Sequence, residues 1–194
     1  MDVRPVVLEG RTVRLEPLTW AHSDGLWRVA EPPIFAITPG PIGEWNRENW
    51  DIFMQKTLSM EGRIPFAVVL NEEGFPIGST SYFDIRSEHR GLEIGYTWLA
   101  TAYQGTQVNP ENKYLLLRHA FETLGAVRVQ LKTDKRNLRS QRAIAKLGAK
   151  LEGTLRKHSI LENGYIRDTV MFSITDDEWP EVKAGLEARL GYVP

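Results

Sequence analysis

The run GLEIGYTWL (Gly91–Leu99), followed by NPENKYLLLRHAFETLG (residues 109–125) and VRVQLK (residues 127–132), decides the fold. The first piece reads as a strand and the third alternates apolar and polar residues, as a strand with one buried face does. Between them Leu117, Ala120, Phe121 and Leu124 recur at helical spacing, and Gly125 follows where a helix-ending glycine belongs. Two strands separated by a helix must lie parallel, and the crossover between them is right-handed.

The neighbouring segments join by shorter links. Upstream, residues 65–70 and 77–85 flank Asn71-Glu72-Glu73-Gly74, a hairpin signal. Residues 12–18 alternate as a further strand, and Thr19 is placed to cap a helix over 21–30. Four prolines within residues 31–43 predict a loop, and a second helix is expected over 44–60. Downstream, Ser140, Ala143, Ile144 and Leu147 repeat the helical spacing up to Gly148. Residues 151–160 and 165–174 form a closing antiparallel pair around Asn163-Gly164, and a helix over 178–190 ends the chain. The expected fold is α+β: one domain over 1–194 with a mixed, mostly antiparallel central sheet and helices on both faces.

Composition narrows the function. With 194 residues, 42% hydrophobic and 25% charged, the chain can bury a real core. A net charge of −1 argues against a dedicated nucleic-acid protein. There is no cysteine, so there is no disulfide, thiolate ligand or cysteine nucleophile. His22, His89, His119 and His158 lack ligand spacing, so no metal site is expected. No stretch approaches the ~20 apolar residues of a membrane span. Residues 1–9 hold no apolar run of signal-peptide length, and the expectation is a soluble cytoplasmic protein.

Four features carry possible chemistry. In residues 98–113 a strand meets a helix through a glycine-containing loop, with Asn109 as cap and Pro110 as first helical residue. Such a helix start can hold a phosphate, or be simply a capped helix. Residues 132–158 carry nine Lys or Arg against two acids, which suits a solvated face or a polyanionic ligand. Without interleaved aromatics, the stretch suits single-stranded nucleic acid less. Ser140 shares the apolar face of its helix, so its hydroxyl either bonds back to that helix or faces a cleft. Glu93 lies among uncharged strand neighbours, so it is either paired with Arg90 or desolvated with a raised pKa suited to base work. Trp20, Trp27, Phe35, Trp45, Trp50 and Phe53 crowd the first quarter as core, with one or two able to line a substrate wall.

In this order the segments resemble the GNAT N-acetyltransferases, in particular the RimJ/RimL branch. The likeness runs from residues 8–15 through Glu93-Ile94-Gly95-Tyr96 and Gln104-Gly105. It continues in Asn137-x-x-Ser140-x-x-Ala143-Ile144-x-Lys146-Leu147-Gly148-Ala149, Glu152-Gly153, Arg156, Gly164-Tyr165-x-Arg167-Asp168 and Phe172-Ser173-Ile174. The resemblance implies acetyl-CoA as cosubstrate and a primary amine as acceptor, on a protein N-terminus, a peptide or a small molecule. It implies direct attack on the thioester, and a homodimer is common among such proteins. By the same likeness Trp98 and Leu99 meet the pantetheine arm. Gln104, Gly105, Thr106, Gln107, Val108 and Asn109 hold the pyrophosphate, and Asn137 and Ser140 approach pantetheine and thiol. Glu93 would be the base, and Ser140 would stabilise the departing thiolate.

Two positions depart from the pattern. Gln107 and Asn109 stand where the phosphate loop usually has small residues, and Ile144 stands where many members carry a tyrosine acid. A catalytically weak acyl-CoA-binding protein on the same fold is therefore the alternative, and an RNA- or ribosome-associated module the third reading.

Overall fold

A computed structural model describes residues 1–37, 40–41, 43–161 and 164–192. Eight strands form one sheet in the order β1-β2-β3-β4-β5-β6-β8-β7. β1 (Leu8–Glu9), β2 (Val13–Pro17), β3 (Ile64–Leu70), β4 (Pro76–Arg86) and β5 (Gly91–Leu99) are consecutive antiparallel neighbours. β5 and β6 (Arg128–Asp134) form the predicted parallel pair, and β8 (Ile166–Thr175) inserts between β6 and the edge strand β7 (Lys150–Ile160). The expected α+β fold with a mixed, mostly antiparallel sheet is the observed one.

Helices cover both faces. α1 (Ser23–Val29) and α2 (Arg47–Ser59) lie on one, where Leu26, Trp50 and Met54 pack with Leu18, Ala67, Val69 and Trp98. α3 (Val108–Arg118), α4 (Leu138–Ala145) and α5 (Trp179–Leu190) lie on the other, where Leu115, Leu116, Ile144 and Val182 meet Leu15, Val68, Leu92, Ile94, Val129 and Phe172. The alternation along β5 follows from the pleat: Leu92 and Ile94 enter the second cluster, so Glu93 between them faces the first.

Several local expectations shift. The first helix opens as a 3₁₀ turn over Trp20–His22, where the Thr19 amide donates to His22 Nδ1 at 3.1 Å. The second is capped by Asn46, whose Oδ1 accepts the Asn49 amide at 2.9 Å. α3 begins at Val108, so Asn109 is not its cap and Pro110 is its third residue. The helix also stops being regular at Arg118. A wider π-type turn spans His119–Thr123 before Gly125 (φ +66°) reverses the chain. Thr38, Pro39 and Ile42 of the proline-rich loop, and Asn163 of the last hairpin, lie outside the described residues.

Candidate active site

The parallel ladder between β5 and β6 is short. It pairs Gly91 with Arg128, Leu92 with Val129 and Glu93 with Gln130, and no further, although β5 runs to Leu99 and β6 to Asp134. Beyond Glu93 the strands part. On its other side β5 carries an extra residue: Ser81 faces Gly95 and Ser79 faces Trp98, three steps against two, with Tyr96 at φ +51°. This bulge turns β5 away from β6 and leaves Thr97 on the α3 side. The result is a wedge-shaped cavity of about 690 Å³, lined by both strands, α3, α4 and the β7–β8 hairpin.

Glu93 sits at the apex and is 1% exposed. Arg90 is not its partner; that residue turns the chain at φ +46°. Instead Lys132 Nζ lies 3.0 Å from Oε2, and Gln130 Nε2 donates to the same oxygen at 2.9 Å. Oε1, equally buried, has no hydrogen-bond partner among the described residues. Burial pushes the Glu93 carboxyl above its ordinary range, while Lys132 and Gln130 pull the other way.

One wall is a polar loop. Gln104 Nε2 donates to the Leu99 carbonyl at 2.8 Å, and its Oε1 accepts from Arg139 on α4 at 2.5 Å, tying loop and helix together. The amides of Gly105, Thr106, Gln107 and Asn109 find no acceptor among the described residues, and Pro110 has no amide hydrogen. Val108 N–H is already committed to Thr106 Oγ1 at 3.3 Å. Gly105 takes φ +79°, which only glycine adopts without strain. A loop of outward amides leading into a helix start suits an anion. Gln104, Gly105, Thr106 and Asn109 line the cavity, as do Trp98 and Leu99 on β5. Val108 instead enters the core at 3% exposure, and Gln107 turns outward, donating to the Arg189 carbonyl at 3.0 Å.

The opposite wall is α4. Asn137 Oδ1 caps it by accepting the Ser140 amide at 3.0 Å, which leaves Nδ2 for the cavity. The Ser140 hydroxyl, half-buried in the cavity lining, makes no hydrogen bond with any described residue and so does not bond back to its helix. Ile144 lines the cavity as well.

Seven of the nine basic residues of 132–158 fall into two groups. Lys132, Lys135, Arg136 and Lys150 are paired with Glu93, Asp168, Asp134 and Glu178. Arg139, Arg142 and Lys146, joined by Arg189 from α5, line the cavity without an ion pair among the described residues. The aromatic cluster closes the far side: Phe35 stacks on Trp45 (5.8 Å) and meets Trp98 (5.3 Å), with Ile34 and Ile37 at the cavity edge.

Lys113 is a lining residue that the sequence does not single out. Lys113 on α3 is 6% exposed, and its Nζ donates to Thr97 Oγ1 at 2.5 Å and Thr80 Oγ1 at 3.3 Å. Burial lowers its pKa to about 7. The signal was present, because Lys113 lies four residues before Leu117 on the same apolar stripe.

Comparison with known proteins agrees with this geometry. Residues 12–150 match the family described as an acetyltransferase (GNAT) domain. A Thermus thermophilus structure assigned provisionally as an acetyltransferase is similar at 43% identity and TM-score 0.90, covering 98% of this chain and 100% of that one. Bacillus subtilis YnaD, described as an uncharacterized N-acetyltransferase, is 25% identical over 139 residues, 72% of this chain and 79% of YnaD. Mycobacterium smegmatis RimJ, solved with CoA-disulfide, shares the fold at TM-score 0.80 and 20% identity over 96% and 95% of the two chains. A splayed parallel strand pair, with an amide-rich loop opening the helix between them, thus sits in a chain whose sequence matches one family over most of its length: this chain belongs to the GNAT acetyltransferase family.

Proposed function

We propose that the protein transfers an acetyl group from acetyl-CoA to a primary amine by direct attack on the thioester. The observation that carries this reading is the buried Glu93 carboxylate at the apex of the wedge, with one oxygen held by Lys132 and Gln130 and the other unengaged. Oε1 is free to accept a proton from the acceptor ammonium, directly or through one water. A raised pKa places its protonation nearer neutrality than that of a surface glutamate.

The other wall residues fit a long polyanionic donor. On the side away from β4, β5 beyond Glu93 has no strand partner, which suits an extended amide-bearing arm in strand-like contact. Gln104, Gly105, Thr106 and Asn109 offer the anion-facing loop, and Arg139, Arg142, Lys146 and Arg189 supply positive charge. Gln107 contributes its backbone amide only, since its side chain points away, so the bulk expected to crowd the loop is absent from the cavity. Asn137 Nδ2 and the Ser140 hydroxyl face the same space, and Ser140 is the donor placed to stabilise a departing thiolate.

Ile144 favours the second reading, a binding protein with weak turnover, because that part of the wall offers no proton donor. Titration calorimetry with acetyl-CoA, followed by thiol release with a panel of amines, tests both. No binding at ~1 mM, about −4 kcal/mol, overturns both readings; binding without thiol release leaves the second.

A further inference from the structure

Lys113 has no role in the mechanism above, yet it is the residue of the cavity wall whose burial is hardest to account for. Its ammonium carries three N–H donors. The structure supplies two acceptors, Thr97 Oγ1 from β5 and Thr80 Oγ1 from β4, and these hydroxyls also hydrogen-bond each other at 2.8 Å. No described carboxylate forms an ion pair with it. The acid nearest in sequence, Glu111, is spent on the Arg11 and Thr12 amides, and Glu93 lies on the opposite sheet face beside Lys132. A buried cation without a counter-ion is costly. The same side chain lines a cavity open to ligand, next to the strand segment where β5 and β6 diverge.

Resting on the acyl-CoA reading of this wedge, we propose that the cavity accepts, besides acetyl-CoA, an acyl-CoA whose acyl chain ends in a carboxylate, with Lys113 as the counter-ion and Thr97 and Thr80 holding the amine in place. The third N–H of Nζ is the donor left for that carboxylate. Transfer follows the course already described: Glu93 takes one proton from the ammonium, the freed nitrogen bonds to the thioester carbon, the carbon–sulfur bond breaks, and the second nitrogen proton passes to the departing CoA sulfur. The remote carboxylate is a handle and takes no part in bond making.

The burial that lowers the Lys113 pKa to about 7 supports this in a separate way. In the empty cavity the amine is partly neutral at pH 7, and an incoming carboxylate draws a proton back onto it. The groups facing Nζ are the Thr80 and Thr97 hydroxyls, neither of which titrates in this range.

The test compares succinyl-CoA with butyryl-CoA, which have acyl chains of equal carbon number ending in carboxylate or methyl, using CoA itself as the reference. Calorimetry on the intact protein should show succinyl-CoA binding about tenfold tighter or more, the scale of one charge-assisted hydrogen bond. It should also show succinyl-CoA taking up more protons than butyryl-CoA near neutral pH, read from buffers of different ionisation enthalpy. Lys113→Met should bring the affinity ratio to about one, and Lys113→Gln is the second variant if the first fails to bind CoA. Equal affinity of the wild type for the two thioesters overturns the proposal, as does a preference that persists in both variants. Failure of CoA itself to bind overturns the acyl-CoA reading instead, and so is distinguishable.

Discussion

Lys132 and Glu93 bridge the two strands that part, with Nζ and Oε2 3.0 Å apart on adjacent strands. The contact fixes the carboxylate on one side and leaves its second oxygen, itself buried, without a hydrogen-bond partner among the described residues. A base anchored in this way gives up little rotational freedom when it meets its proton.

Glu93→Gln should therefore lower kcat by about 10²- to 10⁴-fold, the usual contribution of a general base. The working form is the carboxylate and its pKa is raised, so wild-type activity falls as pH drops through a value above the ordinary glutamate range. The variant should lack that acidic limb. A rate profile with the limb intact in Glu93→Gln would dismiss Glu93 as the base.

Ser140→Ala should lower turnover more than CoA affinity. Because the hydroxyl makes no hydrogen bond with any described residue, the melting temperature should stay within a few degrees of wild type. Kinetics and CoA titration on the same preparation separate the outcomes; an equal loss in both would assign Ser140 to binding alone.

Glu111 is a structural counterpart to these site residues. It is 1% exposed and accepts from the Arg11 amide at 2.5 Å, from the Thr12 amide at 3.1 Å and from the Tyr192 hydroxyl, clamping the β1–β2 turn and the segment after α5 onto α3. Glu111→Ala strands these donors and should cost about 3 kcal/mol in urea unfolding. A loss under about 1 kcal/mol would show that water replaces the carboxylate.

Arg128 holds Glu152 through two hydrogen bonds of 2.6 and 2.5 Å and lowers its pKa to about 2. A depressed acid stabilises the fold above its unfolded pKa and loses that contribution as pH falls toward the folded value. The side chain is 38% exposed, so solvent screening limits the gain to at most about 1 kcal/mol at pH 7. Glu152→Gln should thus be modestly less stable than wild type at pH 7, with the gap narrowing as pH falls from the ordinary glutamate range toward about 2. A gap independent of pH would assign the effect to packing instead.

Much of the frame was legible because it is local. The hairpin around Asn71–Gly74, the helical stripe at Leu117–Leu124 and the alternation of residues 127–132 each announce an element within a few residues. What escaped depends on distant partners. Glu93 meets Lys132 across a parallel ladder rather than the neighbouring Arg90, and no periodicity encodes that pairing. Asn109-Pro110 carries the signature of a helix start, yet tertiary packing of Val108 in the core draws the helix two residues earlier. Lys113 was hidden by its chemistry: a lysine on a helix is read as solvated, whereas its place on the apolar stripe aims it inward.

The three-pair ladder between β5 and β6 also makes the sheet mechanically uneven. It is the seam along which the antiparallel β1–β5 half and the β6–β8 half are joined, and the crossover through α3 is the covalent strap across it. A ligand lodged in the wedge acts as mortar in that joint, touching both halves where their own hydrogen bonds run out. Saturation with CoA at 100 times its Kd should add about 2.7 kcal/mol to unfolding. Amide exchange should slow most along Leu131–Asp134 and Ile94–Leu99, the two lips of the seam.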